Sequence, residues 1–93
     1  MAIIKLTEPE ITERLKTVPE WKRQGKSISR TYDRGDFNGS MTFAIAVANA
    51  ANAADHHPDI FISWNQVKVT TWSHDAGALT DRDFALAAAI DAL

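Results

Sequence analysis

Two segments of the chain carry the same signal for the start of a helix. Thr7 is followed three residues later by Glu10, and Thr80 is followed three residues later by Asp83. In such a capping box the hydroxyl accepts a hydrogen bond from the backbone of the acidic residue, and the carboxylate accepts one from the backbone of the cap. The pattern predicts one helix over about residues 7 to 17 and another that begins after Thr80.

A longer helix is predicted in the middle of the chain. Asp36 is a suitable N-cap, and the ring of Pro58 pushes the preceding residue out of the helical region, so the helix ends near His56 and His57. Between these limits apolar residues recur at helical spacing. They form the expected buried stripe, which consists of Phe37, Met41, Ala44, Ala48 and Ala51, widened by Phe43 and Val47.

Alternation of apolar and polar residues predicts two β-hairpins. The first covers residues 21 to 33 around a turn at Gly25–Lys26, and the second joins residues 60 to 64 and 67 to 72 through Asn65–Gln66. The order α-β-β-α-β-β-α then predicts an α+β fold. In this fold a four-stranded antiparallel sheet carries three helices packed on one face.

Size and composition exclude several classes of function. A chain of 93 residues suffices for one domain, residues 1–93, and its small core favours association with a second copy. The absence of cysteine excludes thiolate catalysis and agrees with a cytoplasmic location. A net charge of -2 argues against direct binding to nucleic acid, and the longest apolar runs are too short for a membrane helix. Five cations are predicted to form a solvated face of the first hairpin: Lys22, Arg23, Lys26, Arg30 and Arg34.

The candidate chemistry lies in two connections that hold all three histidines. His56 and His57 precede Pro58 at a helix end, and His74 lies between Ser73 and Asp75 after a strand. Imidazole both gives and takes protons near neutral pH, so a pocket with three histidines suits acid and base chemistry. Each histidine taken alone is better explained as a surface or capping residue, and only the three together favour a site. A metal site is less favoured, because no two histidines have the i, i+4 spacing that places ligands on one face of a helix.

Taken together, these residues resemble the signature of the pterin-4a-carbinolamine dehydratase family. The matching positions are Asp55-His56-His57-Pro58, Trp64, His74 and Asp83, with Asp36-Phe37-Asn38 upstream and Gly77, Leu79 and Arg82 downstream. The resemblance extends over essentially the whole chain. It implies a dehydratase that converts 4a-hydroxytetrahydropterin to quinonoid dihydropterin and water, as one step of tetrahydropterin recycling. The pterin is then the substrate, and no cofactor or metal is required.

The resemblance also implies roles for individual residues. His56 and His74 are expected to transfer protons, and His57 to bind the substrate or assist. The substrate-binding residues are expected to be His56, His57, Pro58, Ser73, His74, Asp75 and Ala76. Asp83 matches a signature acid that orients a histidine, in addition to its predicted role in the capping box.

The sequence departs from the family pattern at Asn52, where relatives usually have an acidic residue. A carboxylate there would stabilise a protonated imidazole, whereas an amide offers hydrogen bonds without charge. The family further implies homodimers or homotetramers. Some of its members act as dimerisation or assembly partners instead of enzymes, so a non-catalytic role is the alternative.

Overall fold

The computed structural model describes residues 4–93, which form three helices and four strands. In chain order the elements are α1 (Glu8–Leu15), β1 (Lys22–Gln24), β2 (Ser27–Asp33), α2 (Phe37–Ala54), β3 (Asp59–Ser63), β4 (Gln66–Thr71) and α3 (Asp81–Asp91). The strands form one antiparallel sheet in the order β1-β2-β4-β3. The predicted fold class and element order are confirmed. Within residues 4–93, no helix has both the length and the apolar character needed to cross a membrane.

Both predicted capping boxes form. Thr7 caps α1 with Glu10 as its partner, and Thr80 caps α3 with Asp83 as its partner. Asp36 caps α2, where its carboxylate accepts a hydrogen bond from the backbone of Gly39 at 2.7 Å. Each cap satisfies backbone N–H groups that the first turn of a helix leaves unpaired, so short-range signals are sufficient to place all three helix starts.

The sheet buries one face against the helices. Alternate residues of the central strands, among them Ile28, Val67 and Val69, are completely buried. They share one hydrophobic core with Val47 of α2 and Phe84 of α3. The intervening residues of the strands lie on the opposite face of the sheet, which none of the three described helices covers. This arrangement follows from the side-chain period of two in a strand.

The buried stripe predicted for α2 is wrong in part. Phe37, Met41 and Ala48 are exposed, and the buried residues of this helix are Ser40, Phe43, Ala44, Val47 and Ala51. The helix is apolar on more than one side, and its period alone does not decide which side faces the sheet. The branched and aromatic pair Phe43 and Val47 fills the core, while a second apolar stripe remains uncovered.

The second hairpin turns one residue earlier than the alternation predicts, at Trp64 and Asn65. Trp64 adopts a left-handed backbone conformation with φ of 46°, which a bulky residue rarely adopts. Contacts with its carbonyl oxygen and that of Asn65 hold the turn. The Ser40 hydroxyl donates to the oxygen of Trp64 at 2.5 Å, and the Arg34 backbone donates to the oxygen of Asn65 at 2.7 Å.

The cations of the first hairpin do not act as one basic face. Arg23 forms two hydrogen bonds with the carboxylate of Glu8, at 2.7 and 2.8 Å. Arg30 donates to Asp91 at 2.9 Å, and the guanidinium of Arg34 lies over an aromatic ring of the core. Most of this charge is therefore used within the chain.

Asp91, at the end of α3, joins that helix to the first hairpin. One carboxylate oxygen, Oδ1, accepts hydrogen bonds from Trp21 Nε1 at 3.0 Å, Arg30 Nη1 at 2.9 Å and the Tyr32 hydroxyl at 2.5 Å. Burial, together with the hydrogen bond to Asp91, raises the pKa of Tyr32 well above its usual value near 10.

The raised pKa of Tyr32 predicts that the protein loses stability at alkaline pH. The folded state retains the phenolic proton that the unfolded state releases above about pH 10, so the free energy of unfolding falls as the pH rises further. In a Tyr32→Phe variant this part of the pH dependence disappears. Urea denaturation of both proteins between pH 7 and 11 gives the free energy of unfolding at each pH. If this free energy fell equally steeply with pH in the two proteins above pH 10, the prediction would be contradicted.

Candidate active site

The end of α2 positions His56 and His57. Asp55 adopts a left-handed conformation with φ of 50°, and its backbone N–H donates to the oxygen of Asn52 at 3.2 Å. The N–H of His56 donates to the oxygen of Ala51 at 3.1 Å, which completes a Schellman motif. The two histidines thus lie just after the end of α2, where the backbone changes direction at Asp55.

A second tight turn, residues 73 to 78, positions His74. The backbone groups of Ser73 and Ala78 form a reciprocal pair of hydrogen bonds, at 3.1 and 3.3 Å. Gly77 adopts φ of 62° inside this turn, a conformation that favours glycine. The turn follows β4 and leads directly into α3, so His74 is held between two regular elements.

The two connections meet at one cavity of about 420 Å³. This volume lies within the usual range of sites for small ligands. The lining residues are Asp55, His56, His57, Trp72, His74, Asp75 and Arg82. All three histidines therefore line a single cavity.

His56 is backed by a buried carboxylate. Asp83 is completely buried, and its two oxygens accept four hydrogen bonds. Oδ1 accepts from His56 Nε2 at 2.6 Å and from the Thr71 hydroxyl at 2.7 Å, and Oδ2 accepts from the Ser73 hydroxyl at 2.8 Å and the Thr80 backbone at 3.0 Å. Because the carboxylate is paired on every side, its burial without solvent is accounted for.

This pairing determines which nitrogen of His56 serves the cavity. Nε2–H is used by Asp83, whereas Nδ1 has no hydrogen-bond partner among residues 4–93. Among residues 4–93, the only fully buried side-chain nitrogen or oxygen without a hydrogen-bond partner is Arg82 Nε. Nδ1 of His56 is therefore unpaired but not fully buried, and His56 lines the cavity. A carboxylate behind an imidazole fixes its tautomer and stabilises its protonated form.

The other two histidines are held differently. The Asn52 amide oxygen accepts a hydrogen bond from His57 Nε2 at 3.0 Å, so the residue at the unusual position contacts the site directly. His74 makes no side-chain hydrogen bond within residues 4–93. Its ring instead stacks on the indole of Trp72, with 3.9 Å between centroids and 23° between planes.

A charged pair forms one side of the cavity. Arg82 Nη2 donates to Asp75 Oδ1 at 2.5 Å, and the guanidinium holds the pKa of the Asp75 carboxyl below its usual value. Asp75 is therefore ionised at neutral pH. A group that is already paired and ionised is poorly suited to act as the acid in the site.

The remaining predicted site residues lie outside the cavity lining. Pro58 and Ala76 are half-buried next to the lining segments, and Ser73 is completely buried with its hydroxyl directed to Asp83. Asp55, Trp72 and Arg82 also line the cavity, although they were not among the expected substrate-binding residues. The sequence had offered Trp72 only as one of three tryptophans that could wall a flat ligand, and Asp55 and Arg82 only as matches to the family signature. Trp72 follows the buried residue Thr71, so the alternation of β4 places its side chain on the face without helices. This alternation is the feature of the sequence from which its position could have been predicted. Within residues 4–93 no group of three or more His, Cys, Asp or Glu side chains has an arrangement that could hold a metal ion.

A small α+β protein whose histidines surround one cavity, backed by a buried carboxylate, has the parts of an acid–base site. The family model described as pterin 4 alpha carbinolamine dehydratase matches residues 4–93 of this chain. The chain belongs to the pterin-4a-carbinolamine dehydratase family, as the resemblance in the sequence predicted.

Individual relatives are similar over nearly their whole length. A protein of Acidobacterium capsulatum named "Putative pterin-4-alpha-carbinolamine dehydratase" is 48% identical over 89 residues, which are 96% of this chain and 97% of that protein. A relative from Chloroflexus aurantiacus with the same name is 47% identical over 87 residues, 94% of each chain. These levels of identity show the family and leave the reaction of this chain to be argued from its site.

Two solved structures share the fold. The crystal structure of a transcriptional coactivator/pterin dehydratase from Brucella melitensis has a TM-score of 0.90 and 31% identity, and the match covers 96% of this chain and 97% of that one. A pterin dehydratase-like protein identified as a RuBisCO assembly factor in the alpha-carboxysome has a TM-score of 0.66 and 25% identity, with coverage of 78% and 87%. The fold is thus associated with more than one role.

Proposed function

We propose that the protein is a dehydratase that converts 4a-hydroxytetrahydropterin to quinonoid dihydropterin and water, as a step in the recycling of tetrahydropterin. The observation that carries the proposal is the meeting of His56, His57 and His74 at one cavity, with a buried carboxylate behind the first of them. No other cluster of acid–base groups within residues 4–93 is backed in this way. The cavity also has room for a flat two-ring ligand.

The reaction needs two proton transfers. One proton goes to the 4a hydroxyl, so that the C4a–O bond breaks and water leaves. The other proton leaves N5, and the electrons of the N–H bond form the C4a–N5 double bond. Groups that donate and accept near neutral pH suit both transfers, and general acid–base catalysis contributes about 100-fold to 10,000-fold to a rate.

His56 is suited to donate the first proton. Asp83 accepts a hydrogen bond from His56 Nε2 at 2.6 Å and fixes the orientation of the ring, and Nδ1 has no hydrogen-bond partner within residues 4–93. Within residues 4–93, no hydrogen-bonding partner competes for the ring nitrogens of His74, which is therefore suited to accept the proton from N5. His57, held by Asn52, is assigned to binding together with Asp75, which also lines the cavity. Pro58 and Ala76 flank the lining segments, and the buried Ser73 supports the site through its hydrogen bond to Asp83.

Turnover of a 4a-hydroxytetrahydropterin, followed by absorbance, tests the proposal. The substrate also dehydrates spontaneously, so the measured quantity is the acceleration that folded protein adds to that rate. A rate proportional to protein concentration and unaffected by a metal chelator is expected. Folded protein that adds nothing to the spontaneous rate would refute the enzymatic role.

Asn52 tests the electrostatics of the site. In an Asn52→Glu variant the carboxylate would stabilise the protonated form of His57, which is assigned to substrate binding. The part of kcat/KM that depends on a charged His57 should therefore persist to higher pH, with activity retained. An Asn52→Gln variant keeps the amide on the same longer side chain and controls for size. A pH profile of Asn52→Glu that coincides with that of the wild type would contradict the prediction.

The proposal includes a homodimer or homotetramer. Phe37, Met41 and Ile45 repeat every fourth residue along α2 and are 49%, 39% and 61% exposed. β3 is an edge strand of the sheet, and the large side chains of Phe61 within it and Trp64 directly after it are exposed. An exposed apolar stripe together with an open strand edge favours association with a second copy of the chain. Sedimentation velocity measures the assembly.

A non-catalytic partner protein is the second candidate. It is favoured by the similarity to the structure described as a RuBisCO assembly factor and by an amide at position 52 in place of an acid. The complete set of three histidines favours the enzyme. The same turnover assay decides between the two roles, because an assembly partner needs no acceleration.

A further inference from the structure

His74 differs from the other two histidines in what holds its ring. His56 is oriented by Asp83 and His57 by Asn52, in each case through a hydrogen bond to Nε2. His74 is exposed, lies in a turn and has no side-chain hydrogen bond within residues 4–93. An exposed imidazole without such a partner is free to change rotamer unless another contact prevents it.

That contact is the indole of Trp72. The two rings lie 3.9 Å apart between centroids with 23° between their planes, which is a stacked arrangement. Val67, Val69 and Thr71 of β4 face the helices, so Trp72 continues the alternation onto the face of the sheet that no helix covers. The indole is half-buried and packs in part against the hydrophobic core, so the rest of its surface is left to be supported by other contacts.

Lys26 supplies this support from the turn between β1 and β2. Ile28 pairs with Thr71 in the sheet, so the turn before Ile28 lies beside the residues after Thr71. Lys26 Nζ lies 4.0 Å from the centroid of the Trp72 ring. The imidazole of His74 occupies one face of the indole at 3.9 Å, so the ammonium lies against the other face.

We infer that Lys26 and Trp72 are positioning residues for His74, in which the ammonium holds the indole and the indole holds the imidazole at the wall of the cavity. The inference rests on the proposed function, in which His74 accepts a proton. Lys26 does not line the cavity, whereas Trp72 does. An effect of Lys26 on the reaction must therefore pass through its neighbours.

The stack has a readout that does not depend on turnover. The carbon-bound protons of an imidazole stacked on an indole are shifted upfield in the NMR spectrum by the ring current. The signals of His74 are assigned by their loss in a His74→Gln variant. A Lys26→Met change is expected to move them toward the unstacked position, and Lys26→Arg, which keeps a cation over the indole, is expected to leave them in place. Lys22→Met, in the same hairpin but away from the indole, is the matched control.

Kinetics then separate positioning from substrate binding. A small displacement of a catalytic group costs up to about 100-fold in rate, so a partial loss of order at His74 predicts a kcat about 3-fold to 10-fold lower in Lys26→Met. KM should change less than about 2-fold, because an interaction made only in the transition state affects kcat. Trp72→Leu should lower kcat further, and Lys26→Arg and Lys22→Met should match the wild type.

The outcomes distinguish this inference from the proposed function. Wild-type protein without turnover would overturn the proposed function, while His74 signals that move in Lys26→Met would still support the stack. Active wild-type protein whose His74 signals or kcat are unchanged in Lys26→Met would overturn the inference alone. A Trp72→Leu variant with raised KM and unchanged kcat would also overturn it, since the indole would then bind the substrate directly.

Discussion

Replacing His56 by glutamine is expected to lower kcat by about 100-fold or more, with little change in KM. The glutamine amide can still donate to Asp83, as Nε2 of His56 does at 2.6 Å, so the buried carboxylate stays paired. The amide cannot exchange a proton with the substrate. The variant therefore removes the chemistry of His56 and keeps its structural contact. Initial rates, corrected for spontaneous dehydration, measure the effect.

The adjacent histidine is the matched comparison. His57→Gln removes an imidazole from the same cavity, where the residue is assigned to binding and not to proton transfer. We expect its KM to rise while kcat changes much less than in His56→Gln. Equal losses of kcat in the two variants would contradict the assignment of His56 as the proton donor.

Replacing Asp83 by asparagine is expected to lower both stability and activity. The carboxylate is completely buried and accepts four hydrogen bonds, and an amide nitrogen in its place would meet donors. Disrupting a buried, paired charge in this way costs about 3 kcal/mol. His56 loses its support in the same change, so kcat should fall as well. The midpoint of urea denaturation, at one protein concentration, gives the change in stability.

Asp81 is the control for this experiment. It lies in the same first turn of α3 and binds Arg14 at 2.8 Å, but its side chain is 71% exposed. Exposed ion pairs contribute between about 0 and 1 kcal/mol, so Asp81→Asn should behave almost as the wild type does. If Asp83→Asn were as stable as Asp81→Asn, the network around Asp83 would not stabilise the fold.

Several features of this protein could be predicted because their causes are local. Thr7 and Thr80 reveal helix starts through residues three positions away. Pro58 predicted only that α2 stops before it, and the helix in fact ends earlier, at Ala54, where Asp55 adopts a left-handed conformation. Alternation over a few residues was sufficient for the strands. The position of Trp64 shows the limit of this reasoning, since its left-handed turn is held by contacts from Arg34 and Ser40, which are distant in sequence.

The capping box of α3 shows how a correct local interpretation can be incomplete. Asp83 does accept from the Thr80 backbone, at 3.0 Å, as predicted. The same carboxylate accepts from His56, which is 27 residues away in the sequence. Four acceptor positions on one carboxylate allow both roles at once. The resemblance to the family indicated the second role, while spacing alone indicated only the first.

The order of the elements, the helix starts and the family were determined by the sequence itself, because each rests on residues that interact within about one helical turn or on a motif read in line. Which side of α2 is buried, what orients each histidine, and the stack of Lys26, Trp72 and His74 were decided only by the tertiary structure. These features depend on the register between strands and on the packing of helices against the sheet. Such contacts join residues that no local pattern connects.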